Sequence, residues 1–183
     1  MKIYLLTLAL MLTAVILINL MDTRKLVGQL KLHEGYKAYR YLDTTGHPTV
    51  GIGFNLSRGD AEIMLRSVGA DYHAVLNGDY TLSVDQAETL VKKDIERVED
   101  DARRLLFIYD DLNDVRQRVV CDMIFNLGPY GFKQFKKMIT HLSNGDYAKA
   151  AEEMKDSMWA RQTKGRARVL AIMMKTGEDV YDL

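Results

Sequence analysis

The feature that most constrains this fold is the stretch from His33 to Gly53, HEGYKAYRYLDTTGHPTVGIG. Glycines at 35, 46, 51 and 53 break it into pieces suited to a helix end, a hairpin and a short strand. Ahead of it, Leu26, Leu30 and Leu32 recur towards Glu34, and Gly35 is a helix stop. Lys37 to Leu42, with Tyr39 and Tyr41, leads into a turn at Asp43-Thr44-Thr45-Gly46. Thr49 to Gly53 then reads as the returning strand.

This layout decides where three polar side chains can go. Glu34 and Asp43 would face opposite ways on one straight helix, at about 100° per residue. A chain that turns between them can gather Glu34, Asp43 and Thr49 around one hollow. Such a trio suits glycosidic bond cleavage, in which one carboxylic acid protonates the leaving oxygen and a second polar group handles charge or water across the ring. The spacing alone leaves a plainer reading open. Among 25 Asp plus Glu, a pair at this offset arises by chance, with Glu34 capping a turn and Asp43 starting one.

The run HEGYKAYRYLDTTGHPTVGIGF resembles the active-site segment of the T4-type phage lysozymes: a Glu-Gly, an Asp-Thr-x-Gly hairpin and a Thr-x-Gly-x-Gly strand. The resemblance implies inverting hydrolysis of the β-1,4 bond between N-acetylmuramic acid and N-acetylglucosamine in peptidoglycan. It makes Glu34 the general acid, has Asp43 orient and help deprotonate the attacking water, and has Thr49 hold that water. The similarity runs from about residue 24 to 183. VRQRVVCDMIFNLG, from Val115 to Gly128, is similar to the central helix of the family's large lobe, which implies that Phe125 and Asn126 lie towards the cleft. Trp159 to Arg166 is similar to a Trp-x-x-Gln-Thr-x-x-Arg motif, whose Arg lies beside the catalytic Glu in the family. Phe54 stands where the family often has His. Phe54, Phe125, Asn126 and Arg166 are accordingly the candidate substrate-binding residues.

Ile3 to Met21 is nineteen residues without a charge, long enough as a helix to span about 28 Å of hydrocarbon. It reads as a retained transmembrane anchor, since a small-residue cleavage site is missing near its end. A cleavable signal peptide and a buried core helix are the competing accounts. The arrangement resembles the signal-anchor endolysins, and implies a catalytic domain on the outer, periplasmic face of the host inner membrane, with release as a soluble form as a further option.

Zero formal net charge gives no field steering the chain to nucleic acid. The single cysteine, Cys121, excludes an internal disulfide and reads as a buried thiol. His33, His47, His73 and His141 show no metal-ligand spacing, so no metal or cofactor is expected. Ser83-Val84-Asp85-Gln86 matches a capping box, followed by Ala87, Leu90, Val91, Ile95, Val98, Ala102 and Leu105 at helical spacing. Charges from Lys92 to Asp101 read as a solvated face. Further helices are expected over 114–127, stopped by Gly128-Pro129, and over 131–142 and 146–158. Between Ser157 and Gly177 five basic residues and no acidic one read as a solvated face, with anionic glycan or lipid contact as the alternative.

The expectation is a mostly helical α+β, two-lobed lysozyme-like fold behind an N-terminal transmembrane helix (1–22). The small hairpin lobe covers about 34–80 and the connecting helix about 83–105. The large helical lobe covers about 106–183 together with helix 23–34. The leading function is a monomeric endolysin muramidase acting on bacterial peptidoglycan for host lysis. The alternatives are a lytic transglycosylase, which needs the acid but not the water-handling carboxylate, and an inactive membrane-anchored glycan-binding module.

Overall fold

The computed structural model describes residues 20–43 and 46–181. The expected anchor over 3–21 lies almost wholly outside the described residues, as do Thr44 and Thr45. Among the described residues no helix is long and apolar enough to cross a membrane. The chain is mostly helical with one three-stranded antiparallel sheet, a composition that fits a lysozyme-like fold. The described residues form two compact units, one over 23–97 and the other over 98–181 with residues 20–22.

In the first unit, α1 (Thr23–Glu34) ends at Glu34, and the Gly35 N–H bonds back to the Lys31 carbonyl. Leu26 and Leu30 are buried, but Leu32 is 61% exposed, so the apolar row reaches only to Leu30. Helix α1, expected with the large lobe, groups with this unit. Strands β1 (Lys37–Leu42), β2 (Pro48–Gly51) and β3 (Phe54–Asn55) follow, in that order across the sheet. The returning strand is shorter than expected. Gly51 and Gly53 take φ of 67° and 71°, a region side chains avoid, so the chain folds over at Ile52-Gly53 and comes back as β3. Pro48 begins its strand, where a missing donor does least harm.

Two short helices, α2 (Ala61–Arg66) and α3 (Tyr72–Asn77), close the apolar cluster of Val50, Phe54, Leu56, Leu65, Val75 and Leu90. Helix α4 (Val84–Leu105) starts at the expected capping box. Gln86 N–H bonds to Ser83 Oγ at 3.1 Å, and Ser83 N–H to Gln86 Oε1 at 2.9 Å. Gln86 Nε2 also donates to the Val68 carbonyl and the Tyr80 hydroxyl, each at 2.9 Å. The charged face of α4 is not all solvated. Asp94 receives Arg58 Nη1 on both carboxylate oxygens at 2.9 Å and also pairs with Arg97.

In the second unit, a 3-10 turn (Tyr109–Asp111) leads to α5 (Asp114–Phe132). Val115, Val119, Met123 and Ile124 are buried as expected. Gly128-Pro129 ends the helical run from Asp114, as expected. Gly128 takes φ 68°, ψ 165°, and Pro129 then sits at the start of a fresh helical segment, which tolerates its missing N–H. Of the two helices expected next, α6 (Lys136–Ser143) starts later and α7 (Tyr147–Lys155) ends earlier, and two further helices follow, α8 (Met158–Thr163) and α9 (Gly165–Thr176). Asn113, Asp146 and Ser157 cap α5, α7 and α8 with side-chain oxygens. Helix α7 packs on both α6 and α9, and α9 packs on α5.

Candidate active site

The first unit gathers Glu34, Tyr41, Asp43 and Thr49. Glu34 occupies the last turn of α1, and the chain at Gly53 passes close to it. A β-carbon added to Gly53 would stand 3.6 Å from Glu34 Cγ and 3.7 Å from Oε2. On β1 and β2, Tyr41 pairs directly with Thr49, and directly paired residues project from the same sheet face. Asp43, two residues beyond Tyr41, continues that face by the period of the strand. Thr49 in turn pairs with Asn55 on β3.

The His47 peptide group binds Asp43 to Thr49. Its carbonyl accepts the Asp43 N–H at 2.9 Å and the Thr49 hydroxyl at 3.1 Å, and its N–H donates to Asp43 Oδ1 at 2.9 Å. The Gly46 N–H bonds back to the Asp43 carbonyl at 3.0 Å, consistent with the turn expected there. Thr49 is only 2% exposed. With its proton given to His47, its oxygen can serve a water only as acceptor. The Tyr41 phenol is held above its ordinary range, first by burial and then by the negative charges of Glu34 and Asp43. Tyr41 was passed over in the sequence as a strand residue. The signal available for it was its place two residues before Asp43.

Phe54, expected among the substrate-binding residues, is turned into the apolar core. It pairs with Val50 on the opposite sheet face from Thr49, is 2% exposed, and joins the apolar cluster, with the Arg58 guanidinium 4.9 Å over its ring. Strand alternation turns it inward wherever Thr49 points the other way.

In the second unit, Phe125 is half-buried and Asn126 is exposed, its Oδ1 accepting Trp159 Nε1 at 2.9 Å. Trp159 is buried and meets Phe135 edge-on, ring centres 6.0 Å apart. Arg166 is not a solvated cation: its Nε donates to Asp122 Oδ1 at 2.7 Å, with both side chains nearly sealed from solvent. Asp122 was not singled out in the sequence. A groove of about 660 Å³ lies beside these residues, lined by Leu127, Phe135, Met138, Met158, Trp159 and Gln162 among others. Neither Glu34 nor Asp43 lines it. Among the described residues no cluster of His, Cys, Asp and Glu could hold a metal ion.

Comparison with known proteins bears on this arrangement. A family model described as phage lysozyme matches residues 31–175. The chain is 30% identical over 161 residues to the probable T4-type lysozyme 2 of Dictyostelium discoideum, covering 83% of this chain and 94% of that protein. It is 28% identical over 158 residues to the pre-baseplate central spike protein Gp5 of Enterobacteria phage T4. That match covers 81% of this chain but only 27% of the spike protein, so the chain spans about a quarter of that relative. It is 27% identical over 126 residues to the endolysin of Salmonella phage P22, covering 69% and 75% of the two chains.

Proposed function

The chain belongs to the phage lysozyme family and is a glycoside hydrolase of the lysozyme type; from that premise we propose that it cuts the β-1,4 bond between N-acetylmuramic acid and N-acetylglucosamine in bacterial peptidoglycan. Glu34 donates the proton to the leaving oxygen. Asp43 and Thr49 hold the attacking water. The observation that carries this reading is the approach of Glu34 to Gly53, just past the end of the strand that presents Thr49 opposite Tyr41.

The hydrogen-bond directions supply the chemistry. A water placed between Asp43 and Thr49 finds an anionic acceptor on one side and, because the Thr49 proton goes to His47, a second acceptor on the other. Both water protons are then engaged, and an oxygen lone pair is left for the anomeric carbon. Asp43 takes one proton as the new C–O bond forms, and Glu34 gives its own to the departing sugar. Configuration at that carbon inverts, because water and leaving group occupy opposite faces.

As further parts of the proposal, the enzyme acts as a monomer at host lysis. The uncharged run over 3–21 anchors it in the inner membrane, with the catalytic part facing the periplasm.

The test is digestion of purified peptidoglycan, with the product ends identified by mass spectrometry. Reducing ends that Glu34→Gln no longer releases, while retaining its circular dichroism spectrum, support the reading. Anhydro ends would assign a transglycosylase instead, and undiminished release by Glu34→Gln would remove the acid.

A further inference from the structure

We propose that the groove between α7 and α9 binds the acidic peptide stems of the wall polymer, a substrate contact additional to Glu34, Asp43 and Thr49. The inference rests on the reading of peptidoglycan as the substrate given above.

The groove is built by one spacing used twice. On α7, Ala148, Ala151, Glu152 and Lys155 follow the i, i+3, i+4, i+7 row that gathers side chains on one helix face. On α9, Arg168, Ala171, Ile172 and Lys175 repeat it. The two helices pack together, and the two rows line a groove of about 290 Å³. Ala151 and Ala171 are buried and, being small, keep its floor low. Each row covers two helical turns, about 10 Å, which is the length of about three extended residues.

Three cations stand around this floor against one carboxylate, Glu152. Elsewhere on these helices cations are taken up by acids: Lys149 pairs with Asp146 at 2.7 Å, and Arg166 with Asp122. Lys155, Arg168 and Lys175 are exposed and pair with no acid among the described residues. Arg168 and Lys175 belong to the basic run over 157–177, which the catalytic reading leaves unused.

The occupant that matches is an extended, mainly acidic chain with small apolar side chains. Stem peptides have that make-up. Their carboxylates suit Lys155, Arg168 and Lys175, their methyl groups suit the alanine floor, and the amine of a diaminopimelate stem suits Glu152. An anionic bilayer is the poorer match, because it meets a helix face as a plane and rewards an evenly basic one. Here Glu152 lies inside the groove, and Glu153 and Asp156 follow on the same helix end. Those last two line the groove beside Trp159, so the two grooves take different sides of α7.

The experiment titrates the full chain with the tetrapeptide L-alanyl-γ-D-glutamyl-diaminopimelyl-D-alanine, following backbone amide shifts. It then compares turnover of intact peptidoglycan with that of glycan chains stripped of their stems. Amides over 148–155 and 168–175 should shift, and the shifts should vanish in the triple variant Lys155→Gln, Arg168→Gln, Lys175→Gln. In that variant the KM for intact peptidoglycan should rise about fivefold relative to the KM for stripped glycan. The charge-preserving pair Lys155→Arg, Lys175→Arg should keep both properties. The proposal fails if the peptide shifts no amide of this groove, or if the triple variant changes both KM values equally. It fails also if vesicles of anionic phospholipid shift these amides and the peptide does not. A wild-type chain that binds the peptide yet releases no reducing ends would instead overturn the underlying reading.

Discussion

Asp43 and His47 are tied twice, His47 N–H to Asp43 Oδ1 and Asp43 N–H to the His47 carbonyl, each at 2.9 Å. The first bond uses an oxygen that asparagine also has, and the second uses only backbone. Asp43→Asn therefore keeps the turn and removes the charge. Its denaturant midpoint should match the parent within error while turnover falls by about two orders of magnitude. Asp43→Ala also strands the His47 N–H and should lose about 1 kcal/mol of stability besides. Equal stability loss in the two variants would contradict this account.

Asp122 is fully buried against Arg166, whose side chain is 8% exposed. Asp122→Ala leaves a guanidinium in the interior short of its anion and should cost about 3–5 kcal/mol in urea unfolding. Replacing both by Leu and Met should recover much of that loss, since the pair itself adds little over apolar packing.

Ser83 and Gln86 offer an internal comparison at the start of α4. Ser83→Ala removes a cap worth about 1 kcal/mol. Gln86→Ala removes the reciprocal bond and also frees the Val68 carbonyl and the Tyr80 hydroxyl, so its melting temperature should fall further than that of Ser83→Ala.

Cys121 is fully buried with its Sγ 3.1 Å from the Tyr109 hydroxyl, and burial pushes the thiol from 9.0 up to about 12. A group whose pKa is raised by folding stabilises the protein below its unfolded value and withdraws that contribution as pH rises towards the folded one. Urea midpoints should therefore decline from about pH 9 upward, and Cys121→Ala should flatten the decline. The native thiol should also resist maleimide until the chain unfolds.

How much of this could be read in the sequence follows the range of the interactions. Helix α1 ends at Glu34 and α4 begins after Ser83, as expected, because caps and stops are settled by residues three or four apart. The break between β2 and β3 escaped because four spaced apolar and glycine residues read as one strand until the positive φ of Gly51 and Gly53 is known. The stop at Gly128-Pro129 was legible for the same local reason as the caps, and what escaped was the short helical segment from Pro129 to Phe132, whose last residue is fully buried. Phe54 was assigned by analogy to the residue after Gly-x-Gly, while its pairing with Val50 decides its direction. Arg58 and Arg166, which pair with Asp94 and Asp122 from 36 and 44 residues away, leave no local trace of those pairings.

Asp114 receives the Asp22 N–H on one carboxylate oxygen at 2.6 Å and Arg118 Nε on the other at 3.1 Å, while Arg118, itself without exposure, reaches Asp179 at 2.6 Å. A single acidic residue thus moors the polypeptide just after its uncharged run, and through one arginine moors it again beyond α9. Shortening the protein past Asp179 takes one of two carboxylates from a guanidinium with no exposure, and shortening it past Asp22 takes a donor from the other carboxylate. Damage done at one end should be felt as loosening at the other.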